Sequence, residues 1–169
     1  MKRTIKNIGL DVHKNSISIG IADDGRDGDV RFYGKIDNDM NQLDKVIGKL
    51  ISKGATLRFA YEAGPCGYSI YRYLTNNDMD CVVVAPSKIP QQSSNRLKND
   101  RRDCLSLARL HRAGELTPVY VPTEADEALR DLTRAREDAT RALRTAKQQL
   151  GAFLLRYDKV YSGRSKWTK

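Results

Sequence analysis

Ile5-Lys6-Asn7-Ile8-Gly9-Leu10-Asp11-Val12-His13-Lys14-Asn15-Ser16-Ile17-Ser18-Ile19-Gly20-Ile21-Ala22 is the stretch on which the fold turns. Ile5 to Asp11 is a short apolar run that ends on an acid. Ser16 to Ala22 alternates Ile17, Ile19 and Ile21 with small or polar residues, the period of a strand with one buried face. Between them Val12-His13-Lys14-Asn15 reads as a turn, and Asp23-Asp24-Gly25 supplies a second. Val30 to Ile36 then completes an antiparallel meander over residues 5 to 36.

Beyond Asp37 and Asn38, which offer helix-capping side chains, Met40, Leu43, Val46, Ile47, Leu50 and Ile51 recur at helical spacing until Gly54. Leu57 to Glu62 is strand-like and again ends on an acid, followed by Ala63-Gly64-Pro65. Tyr68 to Thr75 predicts a helix, and the unbroken apolar run Cys81 to Ala85 predicts a buried parallel strand reached by a right-handed crossover. Pro86 to Asn95 reads as a polar loop, about Lys98 to Ala113 as a helix stopped by Gly114, and Pro118 to Pro122 as a connector.

From the capping pattern Thr123-Glu124-Ala125-Asp126 a long helix is expected to about Tyr157. Positions 129, 132, 136, 139, 143, 146, 150, 153 and 157 follow a 3-4 spacing and carry Leu, Leu, Arg, Ala, Leu, Ala, Leu, Phe and Tyr, a coiled-coil signature. The plainer alternative is an amphipathic helix packed on its own domain. The expected architecture is α/β: a mixed five-stranded sheet, made of the meander plus two parallel strands, with flanking helices over residues 1–118, then a helical segment and tail over 119–169.

The formal charge of +9 favours a polyanionic partner. Residues 1 to 85 hold 12 Lys/Arg against 11 Asp/Glu, residues 86 to 122 hold 7 against 3, and residues 123 to 169 hold 11 against 7, so the surplus lies in the second half. Cys66, Cys81 and Cys104 are odd in number and widely spaced, which suits a reduced chain and offers no zinc or redox pair. With neither a membrane-length apolar run nor a signal-peptide core, a cytoplasmic protein is expected.

Asp11 and Glu62 end two strands that a parallel arrangement would bring to one carboxyl edge, where open α/β sheets place their sites. Asn99-Asp100-Arg101-Arg102-Asp103 adds two acids three residues apart at a helix start, on one face. Four gathered carboxylates repel one another unless cations neutralise them. Mg2+ prefers such oxygen ligands, and paired ions serve phosphodiester transfer by activating the attacking oxygen and stabilising the leaving one. Taken singly, Asp11 could end a strand, Glu62 precede a turn and Asp100 cap a helix.

Gly9-Leu10-Asp11-Val12-His13-Lys14, Tyr61-Glu62-Ala63-Gly64-Pro65-Cys66-Gly67-Tyr68, and Lys98-Asn99-Asp100-Arg101-Arg102-Asp103 with Leu107-Ala108-Arg109-Leu110 resemble the N-terminal, RuvC-like domain of DEDD transposases. These are the enzymes of insertion-sequence family one-ten, with the Piv invertase among their relatives. The resemblance runs in order over about residues 5 to 160. It implies a ribonuclease H fold, a DEDD tetrad of Asp11, Glu62, Asp100 and Asp103 that binds Mg2+ (or Mn2+), DNA strand cleavage and rejoining, and guidance by a structured RNA. It also implies a second domain bearing a catalytic serine, which is not found here, so the chain is expected to be the N-terminal portion of a longer enzyme. No serine present offers a substitute.

Arg96, Lys98, Arg101, Arg102, Arg109 and Arg112, interleaved with the last two acids, and Lys14 beside Asp11 are candidate phosphate contacts. His13, two residues from Asp11, could lie near a metal, although a lone histidine is more often structural. Tyr61, Tyr68, Tyr71 and Tyr73 could stack on bases, or fill core and rim. Two other functions compete. A non-catalytic, dimerising nucleic-acid-binding module would bind in a salt-sensitive way without needing Asp11 or Glu62. An ATPase of the actin and sugar-kinase type would want a glycine-rich phosphate turn, and Asp11-Val12-His13-Lys14-Asn15 has no glycine. The long helix is expected to join copies into a dimer or tetramer.

Overall fold

The protein is described by a computed structural model covering residues 4–90, 99–164 and 166–167. Five strands form one sheet: β1 (Thr4–Val12), β2 (Ser16–Asp23), β3 (Val30–Asp37), β4 (Ala55–Glu62) and β5 (Asp80–Val84), in the order β3-β2-β1-β4-β5. The first three pair antiparallel, and β4 lies parallel to both β1 and β5. The helices are α1 (Met40–Ile51), α2 (Ser69–Asn76), α3 (Asp100–Ala113) and α4 (Glu124–Leu155). This is the expected mixed sheet with flanking helices and a long C-terminal helix, a ribonuclease H-like arrangement.

Because side chains alternate along a strand, the sheet has two differently furnished faces. Ile8, Leu10, Ile17, Ile19, Ile21, Phe59 and Tyr61 meet Leu43, Val46, Ile47 and Leu50 of α1 and Ile70 and Leu74 of α2 in the main core. Burying side chains of this size stabilises the fold by about 1.5–3 kcal/mol each. The other face is built for close approach. Gly9 and Gly20 are register partners on β1 and β2, and α3 lies directly over them. A Cβ on Gly9 would stand 2.5 Å from the Ala108 amide nitrogen, and one on Gly20 would stand 2.6 Å from the Cys104 carbonyl oxygen. Helix backbone thus rests on strand backbone, with Cys104, Leu107 and Ala108 buried at the contact.

Two helix starts depart in detail from the sequence reading. The cap of α1 is Asp39, whose carboxylate accepts from the Asn41 amide, rather than Asp37 or Asn38. Asp37 is still paired to Ser16 in the sheet, and the Asn38 side chain donates to the His13 carbonyl at 2.8 Å, so the helix begins two residues later. Helix α3 begins at Asp100 with Asn99 as its cap, and Gly114 closes it in the left-handed conformation at φ 71°. Of the expected polar loop, Pro86–Lys88 forms a single 3-10 turn, and residues 91–98 lie outside the described ones.

The chain divides into two compact units, Met1–Val121 and Pro122–Lys169. The connector stays with the sheet, since the Val119 amide donates to the Val83 carbonyl at 2.8 Å. In the second unit the Thr123 hydroxyl accepts from the Asp126 amide and starts α4, a helix of 32 residues with none buried.

Candidate functional site

The register places one row of residues across the carboxyl end of β1, on the face covered by α3. Ser18 pairs with Asp11 on one side and Lys35 on the other. On the parallel side Leu10 pairs with Tyr61, so Asp11 and Glu62 each follow one residue later, on the face opposite those two core side chains. The first turn of α3 brings Asp100 and Asp103 to the same end. Asp100 and Asp103 are therefore carried to the end of β1 that holds Asp11, and Glu62 ends the neighbouring strand on the same face.

The tightest group is Asp11, His13 and Asp100, whose ligand atoms all lie within 4.8 Å of one another. Asp103 is near enough for its charge to act on Asp11, and neither Asp103 nor Glu62 is part of this triple. His13 Nε2 is 3.1 Å from Asp11 Oδ2 and 3.6 Å from Asp100 Oδ1. Lys35 Nζ donates to Asp100 Oδ2 at 3.0 Å. Burial pushes the Asp11 carboxyl above its ordinary range; His13 pulls it down, while the negative charges of Asp100 and Asp103 push it further up. Asp100 behaves oppositely, because the hydrogen bond from Lys35 holds its carboxyl below the usual range.

Such a donor set fits a hard divalent cation: two carboxylates and an imidazole share one point, and burial first, then the charges of Asp100 and Asp103, disfavour a bare Asp11 carboxylate there. A cation there would relieve the crowding without any rearrangement of the strands.

Lys35 was invisible to the sequence reading, and the reason is a bulge. The β2–β3 register shifts at Ile19/Gly20, so Gly20 faces Phe32 while Ser18 faces Lys35. Phe32 and Lys35, three apart, thereby reach the same face, where strict alternation would separate them. Phe32 receives the Arg101 guanidinium 5.3 Å from its ring centroid, and Lys35 receives Asp100. His13 was noticed as a neighbour of Asp11; the hairpin turn, in which the His13 amide donates to the Ser16 carbonyl, swings its ring onto the acids.

The other expected contacts divide into exposed and committed groups. Lys14, Arg101, Arg102 and Arg109 are exposed. Arg112 is half-buried and donates to the carbonyls of Gly28 at 2.6 Å and Asp23 at 3.2 Å, tying the end of α3 to the β2–β3 turn. Arg96 and Lys98 lie outside the described residues. The tyrosines take the packing role: Tyr61 is buried and donates to the Gly67 carbonyl, Tyr68 and Tyr71 pack against the core, and Tyr73 is hydrogen-bonded to Asp44. The three cysteines are free, and among the described residues no helix is long and apolar enough to cross a membrane.

Comparison with known proteins identifies relatives of this chain. Residues 8–158 match the family model of the IS110-type DEDD transposases, described as transposase. The chain is 45% identical over 161 residues to y4qE of Sinorhizobium fredii, a protein carrying a transposase name, covering 95% of this chain and 41% of that one. It is 36% identical over 170 residues to the transposase for insertion sequence element IS1533 of Leptospira borgpetersenii, covering 99% of this chain and 49% of the relative. The chain thus spans less than half the length of these two relatives. With the match extending from β1 to the end of α4, it belongs to the IS110-type DEDD transposase family.

Proposed function

We propose that this chain is the metal-binding catalytic part of a DNA transposase, with Asp11, Glu62, Asp100 and Asp103 as ligands for Mg2+, or Mn2+ in its place. The observation that carries the reading is the convergence of Asp11 and Asp100, from elements 89 positions apart in sequence, onto a group 4.8 Å across. When bound, the cation supplies charge neutralisation at a scissile phosphate and lowers the cost of a developing oxyanion.

The chain's own residues do the remaining work. His13 holds the Asp11 carboxylate in one orientation and is positioned to share a proton with it. Lys35, beside Asp100 at the edge of the group, would serve as a phosphate contact together with Lys14, Arg101, Arg102 and Arg109. Such contacts hold a nucleic-acid backbone in register without reading its sequence. Arg101 lies over the Phe32 ring, which holds its guanidinium at the edge of the group. The nucleophile and the rejoining step belong to the remainder of a longer enzyme, and a structured guide RNA supplies target choice. DNA as substrate places the protein in the cytoplasm, and α4 joins copies into an oligomer.

Calorimetric titration with Mg2+ and Mn2+ tests the site. Wild-type protein should bind, and the Asp11→Ala/Glu62→Ala variant, shown to be folded by circular dichroism, should not. Equal heats from both proteins would remove the metal site.

A second reading is a nucleic-acid-binding module without chemistry of its own, favoured by the exposed Lys14, Arg101, Arg102 and Arg109. It requires DNA affinity that falls steeply with salt and is unchanged in the same double variant.

A further inference from the structure

Helix α4 leaves its apolar stripe bare, with Leu129 65%, Leu132 68%, Leu143 56%, Leu150 45% and Phe153 52% exposed. Resting on the reading of α4 as the oligomerising helix, we propose that it pairs with α4 of a second copy in antiparallel orientation, centred at the level of Arg141.

The first argument is layer matching. With 129, 136, 143 and 150 as one core position of the heptad and 132, 139, 146 and 153 as the other, antiparallel helices pair the first kind with the second. A single register then aligns every layer: Leu129 against Phe153, Arg136 against Ala146, Leu143 against Ala139, and Leu150 against Leu132. Each alanine faces a long side chain, which fills the layer as close packing requires. Ala146 also leaves room for the Arg136 stem to lie along the seam while its guanidinium reaches water. A parallel pair would set Arg136 against Arg136 and leave two layers of alanine on alanine.

Charge points the same way. Residues 124 to 138 carry three arginines against six acids, whereas residues 139 to 155 carry Arg141, Arg144 and Lys147 and no acid. Antiparallel pairing sets the acidic half of each helix beside the basic half of its partner, and parallel pairing sets like beside like.

The tail is compatible with this partner. Trp167 lies with its ring centroid 5.7 Å from Lys147 Nζ, over a hollow of about 540 Å³ lined also by Thr140, Leu143, Arg144 and Gly151, so the tail reaches the edge of the stripe at Leu143 and leaves that residue 56% exposed. Thr140, Arg144, Lys147 and Gly151 form one flank of the stripe, and Leu143 is the stripe residue they border. The opposite flank, Ala128, Ala135 and Ala142, stays open and small enough for close approach of a second helix. Such a dimer would hold the two Thr123 caps, and the sheet units that precede them, at opposite ends of a shared axis, roughly 50 Å apart at 1.5 Å per residue.

The test uses the whole chain with Cys66→Ser to remove the half-buried thiol and Arg130→Cys to carry a spin label, with ultracentrifugation at the same concentration. A dimer with a label separation of about 35–45 Å is expected from helix rise. A dimer with labels closer than about 25 Å overturns the antiparallel orientation while leaving α4 as the oligomerising helix. A monomer at every concentration overturns both. Leu143→Asp should abolish the dimer, and a dimer that survives it would place the interface elsewhere.

Discussion

Leu10 and Leu74 in the sheet unit are wholly buried, whereas Leu129, Leu132 and Leu143 of α4 are 65, 68 and 56% exposed. Residues of one type thus do two different jobs. In the first unit apolar residues are consumed by a core that this chain completes alone. In the second they recur along one helix and meet no cover within it. Glycine shows the same division. Gly9 is a contact surface on which α3 rests, while nothing lies within 4 Å of a Cβ placed on Gly151 of α4. One region specifies its shape by interlocking, the other by periodicity.

Identical substitutions in the two regions sharpen that contrast, and the largest effect falls at Gly9. Gly9→Val should unfold the sheet unit or cost well over about 3 kcal/mol in urea denaturation, because helix backbone cannot yield to a branched side chain. Next is Leu10→Ala, with an expected loss of about 2–5 kcal/mol. Leu143→Ala should change the stability of the sheet unit by less than about 0.5 kcal/mol while weakening self-association. Comparable losses at Leu10 and Leu143 would break the division between the two units. Gly151→Ala should stabilise α4 by up to about 1 kcal/mol through helix propensity, seen as increased helicity in thermal melts.

Smaller effects come from charge. Burial opposes ionisation of Asp23, yet hydrogen bonds from Arg31 and Lys6 outweigh it and hold the carboxyl below its usual range. A depressed folded-state value means that the ion contributes stability above the unfolded value of about 3.9, which disappears as pH falls through the folded value. Melting temperature should therefore fall below about pH 4, with a shallower slope in Asp23→Asn. Asp11 has the opposite sign. Its raised value favours the protonated form, a contribution present below the unfolded value and lost as pH rises through the folded one. At neutral pH without divalent cation, Asp11→Asn should thus melt slightly higher than wild type, and added Mg2+ should reverse the order. A lower melting point in chelator would overturn this reading of Asp11.

Much of this was legible before any fold was known. Period-two runs and turn residues marked the meander, and an acid at a strand end and one at a helix start, Asp11 and Asp100, stood out for the same reason, because each is local in sequence. Strand-end residues such as Asp11 and Glu62 need only the parallel pairing of β1 and β4 to become neighbours. Lys35 and the cap at Asp39 were not legible: the first depends on a bulge set by the β2–β3 register, the second on whether sheet pairing at Asp37 persists past the strand. Nor does the spacing of Gly9 and Gly20 announce that they are one contact, since only their pairing puts them side by side.

Local pattern was therefore enough for the element types and their order, the long helix α4 included, which follow from short-range spacing and residue chemistry. Tertiary structure was needed to seat α3 on two glycines, to join His13 and Lys35 to the acids, and to commit Arg112 to the β2–β3 turn rather than leave it exposed. The physical reason is that backbone approach and side-chain facing are settled by strand register and by the helix that packs across it, and neither is encoded in any one segment.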